Sequence, residues 1–192
     1  MIYGYGVRLL AAQVAPAREV QAEENACPQY VNDSVRKEIF MFISCPAFSH
    51  HTRVPTSHTC DGENLSPPFE FGDFPSKTKS LVLVVEDRDA VPDPWVHWLV
   101  FNIPPATRSV QAGHIPAGGT EGIANGGTHG YEGPCAKYFT GTHHYSFQLY
   151  ALDTMLDLDA RADRKQVAAT MKNHIVGSAT LVGLCEGTKA ET

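Results

Sequence analysis

The chain has 192 residues, of which 43% are apolar and 19% charged, and its formal net charge is −6. This length and composition are typical of one globular domain with a real core, and they exclude an intrinsically disordered chain. The acidic balance argues against nucleic-acid binding, which needs a basic field. No apolar run reaches membrane-spanning length, so we expect no stable membrane insertion.

The cysteines are few, odd in number and widely spaced, at Cys27, Cys45, Cys60, Cys135 and Cys185. No C-x-x-C pair occurs, so neither a zinc ribbon nor a thioredoxin-like motif is expected, and scattered reduced thiols are the simplest interpretation. The N-terminus resembles a secretory signal only faintly, because its apolar stretch is short and broken. We therefore expect a cytoplasmic protein, with a periplasmic or secreted location less favoured.

The N-terminal part of the chain carries little pattern. Residues 1–47 lack sustained periodicity, and "RKEIFMFIS" suits either a strand or a short helix. We therefore predict an N-terminal extension over residues 1–47 and one folded domain over residues 48–188.

Three segments have the pattern of strands. Residues 80–85 ("SLVLVV") and 97–103 ("HWLVFNI") are continuously apolar, which predicts strands covered on both faces. Residues 143–153 ("HHYSFQLYALD") alternate instead. His143, Tyr145 and Phe147 then share one face of that strand, with His144 on the other.

A helix and a final strand are predicted near the C-terminus. Asp163 suits the N-cap, and Val167, Met171 and Ile175 form one apolar stripe. Gly177 suits the residue after the helix end. "SATLVGLCE" then reads as a last strand, which makes the whole a mainly β fold with a late helix.

Polar residues mark the ends of the three strands. If the first two pair antiparallel, Asp87, Asp89 and His97 lie at one edge of the sheet. If the third strand is the neighbour of the second, His143 and Tyr145 join them at one pocket mouth. Such a group suits an anion, a metal of the two-His, one-carboxylate type, or general acid–base chemistry, and the pattern leaves these open.

Four motifs in this order resemble the phosphatidylethanolamine-binding protein family, also called the Raf kinase inhibitor protein family, and most closely its bacterial branch. The family's D-P-D-A-P segment, with its following tryptophan, histidine and apolar strand, is similar to "DRDAVPDPWVHWLVFNIP". Its G-x-H-R-Y segment is similar to "GTHHYSFQLYALD", and its D-G-x-N-x-S-P and G-Y-x-G-P segments to "DGENLSPPFEF" and "HGYEGPC". The resemblance covers about residues 48–186.

The resemblance implies a β-sandwich built on a large antiparallel sheet, with short helices, a C-terminal helix and strand, and a small anion pocket. The pocket positions it implies are Asp87, Asp89, His97, Gly133, Pro134, His143 and Tyr145. It also implies a non-enzymatic protein without a cofactor, which binds a small phosphate-bearing ligand or lipid head group. A kinase or protease is an expected protein partner, and a homodimer is a further expectation.

Two residues depart from the family pattern. Arg88 replaces a proline, so we expect the loop to be less rigid. The arginine could place a charge near the mouth of the pocket or form an ion pair. His144 replaces an arginine that would have braced neighbouring loops, although strand alternation keeps it off the pocket face.

The family resemblance also bears on two cysteines. Bacterial relatives often carry cysteines at the positions of Cys60 and Cys135, which would make a disulfide in an oxidising compartment. The alternative to a binding protein is a hydrolase-like enzyme, with Cys135 and His143 as the only candidate nucleophile pair, or a metal-dependent one.

Overall fold

The computed structural model describes residues 40–189, which form nine strands and one α-helix within that range. Most of the predicted extension, and Cys27 with it, lies outside the described residues. The elements are β1 (Phe42–Ser44), β2 (Thr52–Arg53), β3 (Phe69–Gly72), β4 (Ser80–Asp87), β5 (Trp95–Ile103), β6 (Ser109–Val110), β7 (Thr120–Glu121), β8 (Thr142–Leu152), α1 (Arg164–Met171) and β9 (Ile175–Glu186).

Two sheets make up the fold. The large sheet has the strand order β2-β9-β8-β4-β5-β7, and the small sheet has the order β1-β3-β6. Every pairing in the large sheet is antiparallel except that of β2 with β9 at one edge, which is parallel. The mainly β fold is therefore confirmed, and the large sheet is mixed rather than wholly antiparallel.

The central strands are buried on both faces, as their continuous apolar runs predict. Alternate residues of β4 enter two separate core clusters, with Leu83 in one and Val84 in the other. Phe71 of the small sheet joins the first cluster, while α1 contributes Val167 to the second. The small sheet and the helix thus cover opposite faces of one rigid platform.

Strand β8 alternates as predicted. Tyr145, Phe147 and Leu149 pack into the core shared with the small sheet. On the other face, Ser146 and Gln148 are also buried, and the Gln148 side-chain amide donates to the Ser146 hydroxyl at 3.1 Å. This internal pairing offsets the cost of burying two polar side chains.

The second and third sequence strands are not neighbours, a relation that the sequence left open. β8 pairs with β4, and β4 lies between β8 and β5. The period of two in a strand predicts which face of the sheet a residue occupies, but it carries no information on the lateral order of the strands. The central position of β4 therefore could not be predicted.

The helix begins as predicted and ends earlier than its apolar stripe suggests. Asp163 and Gln166 form a reciprocal capping box, and Met171 is the last helical residue. Ile175 instead opens β9 opposite Leu152, so Gly177 lies within that strand rather than after a helix. Ile175, which the 3.6-residue period assigned to the helix, instead pairs with β8 as part of β9.

No helix in the part of the chain that the structure describes has the length and apolarity needed to cross a bilayer.

The capping box gives a test of the helix boundary. Asp163→Ala removes the acceptor for the Gln166 backbone N–H, at 2.8 Å, so we expect the free energy of unfolding to fall by about 1 kcal/mol. Chemical denaturation measures this difference. Asp157→Ala, at an exposed aspartate outside the helix, should change stability little, and equal effects of both substitutions would contradict the cap.

Candidate functional site

The carboxylate of Asp87 is the centre of the site. Asp87 ends β4, where it stands opposite Trp95 of β5 and Tyr145 of β8, and only 4% of its surface is exposed. Its Oδ2 lies 2.7 Å from Nδ1 of His143, and its Oδ1 accepts the backbone N–H of Asp89 at 3.0 Å. Both oxygens of this buried carboxylate are therefore paired.

His143 is oriented from two sides. The contact with the Asp87 carboxylate places the proton of its ring on Nδ1, because an ionised carboxylate only accepts. The ring also stacks on Phe139, with centroids 3.8 Å apart and planes at 20°. This arrangement leaves Nε2 as the ring nitrogen available to a ligand.

His97 has a similar arrangement with a backbone partner. Its Nδ1 donates to the carbonyl oxygen of Glu132 at 2.6 Å, so its Nε2 is also left without a partner on the protein backbone. Burial lowers the pKa of His97, against the opposing effects of the Glu132 carbonyl and the charge of Asp87. The ring packs edge-on to Tyr145, with centroids 5.1 Å apart.

Tyr145 keeps its proton. Burial raises the pKa of its hydroxyl, and the negative charge of Asp87 raises it further. With 1% of its surface exposed, the side chain is fixed in the floor of the site. It therefore presents an O–H group, which can donate to an anion or accept from a donor.

The loop after β4 is tied to the start of β8 by Asp89 and His144. The backbone N–H and the ring Nδ1 of His144 donate to Asp89 Oδ2 at 2.6 and 2.8 Å. Partial burial acts to raise the pKa of Asp89, but these hydrogen bonds outweigh it and lower the pKa. His144 thus performs the bracing that an arginine would otherwise supply at this position.

Arg88, between the two aspartates, points away from the site. It is exposed and does not line the cavity, and among the described residues it forms no ion pair. Its backbone N–H donates to the His144 carbonyl at 3.2 Å, which adds to the bracing of the loop. The expectation that Arg88 places charge at the mouth is not met.

These residues line an open cavity of about 640 Å³. It brings together five of the sequence-predicted residues, Asp87, Asp89, His97, His143 and Tyr145. Sequence reasoning did not include the other lining residues Ala90, Val91, Trp95, Tyr138, Phe139, Thr140 and Lys189, and it considered Cys135 only as a nucleophile or a disulfide partner. The half-exposed Trp95 lies within the first motif, and the exposed Tyr138 follows the motif that ends at Cys135; these positions were the available signal.

The predicted wall residues Gly133 and Pro134 lie outside this cavity. Gly133 lines an adjoining cavity of about 320 Å³, which shares Trp95 and His97 with the larger one. Pro134 lines neither, and its carbonyl instead accepts the backbone N–H of Cys60 at 2.9 Å. Gly133 is closely packed, since an added Cβ would come 2.5 Å from the carbonyl oxygen of His58.

Cys60 and Cys135 form a disulfide across the same two loops, 75 residues apart in sequence. The expectation of scattered reduced thiols is therefore wrong for this pair. Cys135 cannot act as the nucleophile beside His143, because its sulfur is bonded. Among the described cysteines, Cys45 and Cys185 have no disulfide partner, and burial raises the pKa of each thiol, so both remain uncharged.

Within residues 40–189, no group of three or more histidine, cysteine or acidic side chains is arranged to hold a metal ion. The two-His, one-carboxylate hypothesis therefore has no support among the residues of this range.

Comparisons with known proteins agree on one family. A family model described as phosphatidylethanolamine-binding protein matches residues 44–186. A UPF0098 protein of Methanothermobacter thermautotrophicus is 43% identical over 149 residues, covering 75% of this chain and 97% of its own. LppC of Mycobacterium tuberculosis, a candidate lipoprotein by name, is 41% identical over 145 residues, with coverages of 76% and 72%.

A solved structure supports the same family. The crystal structure of CT736, described as a phosphatidylethanolamine-binding protein homologue from Chlamydia trachomatis, matches with a TM-score of 0.73 at 34% identity. The match covers 77% of this chain and 98% of that one.

The burial of His97 predicts a pH dependence of stability. Its folded pKa lies below the ordinary value of 6.5, so the unfolded chain takes up the proton more readily and stability falls as pH drops below 6.5. The loss amounts to about 1.4 kcal/mol for each pKa unit. Thermal denaturation between pH 7.5 and 5 should show a smaller loss for His97→Gln. His129→Gln, at an exposed histidine that also contacts a backbone carbonyl, should keep the full slope.

The disulfide predicts a cross-linked peptide. Digestion without reductant should give one fragment containing both Cys60 and Cys135, and free thiols at both positions in native protein would contradict the pairing. Because the bridge closes a long loop, replacing both cysteines by serine should lower the free energy of unfolding by about 4 kcal/mol. Cys45→Ser, at an unpaired cysteine, should leave the cross-linked fragment intact.

Proposed function

Because this chain belongs to the phosphatidylethanolamine-binding protein family, we propose that it is a non-catalytic binding protein whose cavity takes a small phosphate-bearing molecule. The observation that carries the proposal is the arrangement of His143 on Asp87. The Asp87 carboxylate accepts from Nδ1 of His143, so Nε2 is the nitrogen that faces a ligand. When the ring is protonated, both nitrogens donate. Charge-assisted hydrogen bonds of this kind are the strong ones that phosphate oxygens accept.

The other polar groups of the cavity favour the same ligand class. Tyr145 stays protonated and offers its hydroxyl, while Nε2 of His97 is a second ring nitrogen without a backbone partner. Asp87 would repel an anion if it faced one directly, but its oxygens already accept from His143 and from the Asp89 backbone. Toward an anion, the Tyr145 hydroxyl donates, and so does Nε2 of a protonated His143, whereas Nε2 of neutral His97 accepts a hydrogen bond from the ligand.

The size of the cavity favours an ester over free phosphate. At about 640 Å³ it is far larger than a single phosphate ion requires, and it lies within the range of about 300–1,000 Å³ typical of small organic ligands. Trp95 and Tyr138 add aromatic surface against which an organic substituent can pack. A phosphate monoester or a lipid head group meets both requirements.

The chemistry of the site argues against covalent catalysis. A hydrolase using a cysteine would need a thiolate, and Cys135 is bonded to Cys60 while Cys45 and Cys185 carry uncharged thiols. The pair of His143 and Asp87 is nevertheless able to act as a general base toward water. The binding experiment therefore includes an assay for product release.

The disulfide bears on location. Disulfides persist in oxidising compartments and are rare in the cytosol, so we propose that the protein works outside a reducing cytoplasm, contrary to the expectation from the N-terminal sequence. The relative LppC is named as a candidate lipoprotein, which agrees with such a location. Regulation of a kinase or protease, and a homodimer, stay predictions.

Titration calorimetry with phosphoethanolamine and with inorganic phosphate tests the proposal. We expect both to bind, phosphoethanolamine more tightly, and His143→Ala to weaken binding at least tenfold, since a hydrogen bond to a charged group contributes about 1.5–3 kcal/mol. His174→Ala is the matched control, because His174 makes the same kind of contact with Asp153, at 2.9 Å, and does not line the cavity.

Three results would contradict the proposal. They are no binding by the wild type, equal binding by His143→Ala, or release of inorganic phosphate from phosphoethanolamine at a rate abolished in that variant. The last result would establish the hydrolase alternative instead.

A further inference from the structure

The C-terminal residues Gly187–Lys189, called here the strap, lie against the cavity wall. Their backbone N–H groups donate to three carbonyls of the preceding loop: Gly187 to Gly141 at 2.7 Å, Thr188 to Ala136 at 2.8 Å and Lys189 to Phe139 at 3.1 Å. The strap follows the end of β9 and falls outside residues 44–186, which the family model matches.

The first residue of the strap has to be glycine. An added Cβ at Gly187 would come 2.3 Å from the carbonyl oxygen of Phe139 and 2.7 Å from its carbonyl carbon. Both are backbone atoms that cannot swing aside. A larger residue at position 187 would lift the strap from the loop.

The loop under the strap is the cavity wall that holds His143. Cys135 anchors its beginning through the disulfide, and Phe139 stacks on the His143 ring at its centre. The strap hydrogen-bonds to the carbonyls of Ala136, Phe139 and Gly141, which span this loop from its disulfide to the start of β8. Backbone contacts at the C-terminus are thus connected to the orientation of the site histidine.

The strap also carries the only lysine or arginine that lines either cavity in the described part of the chain. Lys189 lines the larger cavity, whose other charged lining residues are Asp87 and Asp89. A phosphate monoester carries close to two negative charges at neutral pH, and on a chain of net charge −6 it needs a local cation. An ammonium group on a flexible stem suits an ion that enters from an open mouth.

We propose that the strap is a part of the binding site and that Lys189 supplies the cation that pairs with the phosphate group. This inference rests on the proposed function and adds a residue to it. The three backbone hydrogen bonds of the strap fix the backbone position of Lys189 at the edge of the cavity that this residue lines. The site is incomplete without these residues.

Substitutions at Lys189 test the charge. Lys189→Ala should weaken the binding of phosphoethanolamine about fivefold, as expected for one partly exposed charge pair, and it should reduce the salt dependence of the affinity. Lys189→Arg should keep both the affinity for phosphoethanolamine and its salt dependence. Lys137→Ala is the control, because Lys137 lies in the same loop over the Tyr138 ring and lines neither cavity.

A double-mutant cycle tests the strap. Gly187→Ala should weaken binding at least as much as Lys189→Ala, because it also frees the wall that orients His143. Adding Lys189→Ala to Gly187→Ala should cause no further loss, because the lysine contact is already gone. The melting temperature of each variant, measured in parallel, separates loss of the strap from loss of the fold.

Each outcome decides a separate point. Wild-type affinity in Lys189→Ala, or an equal loss in Lys137→Ala, would overturn the role of Lys189. Losses that multiply in the double variant would overturn the role of the strap as the element that positions Lys189. An absence of binding by the wild type would instead reject the proposed function, and this inference with it.

Discussion

The geometry of the site depends on one buried carboxylate, that of Asp87. It ends the strand that lies between β5 and β8, so a single residue stands opposite residues of both neighbouring strands. Burying a charge is costly unless every lone pair finds a partner, and here His143 and the Asp89 backbone provide the partners. The orientation of the histidine and the path of the loop after β4 are therefore consequences of the same requirement. Removing the carboxylate would release both.

This carboxylate can be held so closely because the strands beneath it are packed on both faces. The small sheet covers one face of β4 and α1 covers the other, and Arg164 of the helix pairs with Glu86, one residue before Asp87, at 2.7 Å. The end of β4 has no freedom to move relative to its neighbours. The loops that complete the site are less constrained, and they are joined instead by specific links, of which the Cys60–Cys135 disulfide and the Asp89–His144 contact are two. A rigid platform with linked loops is a common arrangement for a binding site.

The strands and the faces of the site residues could be predicted from the sequence. The features that could not be predicted all depend on contacts between segments that are distant in the chain. Strand positions and faces follow from local periodicity, so β4, β5 and β8 and the inward side of His143 and Tyr145 were predicted. Lateral strand order is not local, and for that reason the site residues meet across β4 rather than by a direct pairing of β5 with β8. The early end of α1 has the same origin, because pairing with β8 recruits Ile175. Lys189 reaches the cavity through contacts between distant segments, and no pattern within its own segment marks it.

The charges of the site reconcile an acidic chain with an anionic ligand. Each carboxylate at the cavity is turned to a donor of the protein itself: Asp87 to His143, and Asp89 to His144. Their charges remain, but Asp87 has both oxygens paired and Asp89 has Oδ2 paired. The polar groups left for a ligand are ring nitrogens, hydroxyl groups, an ammonium group and Oδ1 of Asp89. Acidic residues therefore favour an anion here indirectly, by fixing the orientation of the histidines that contact it.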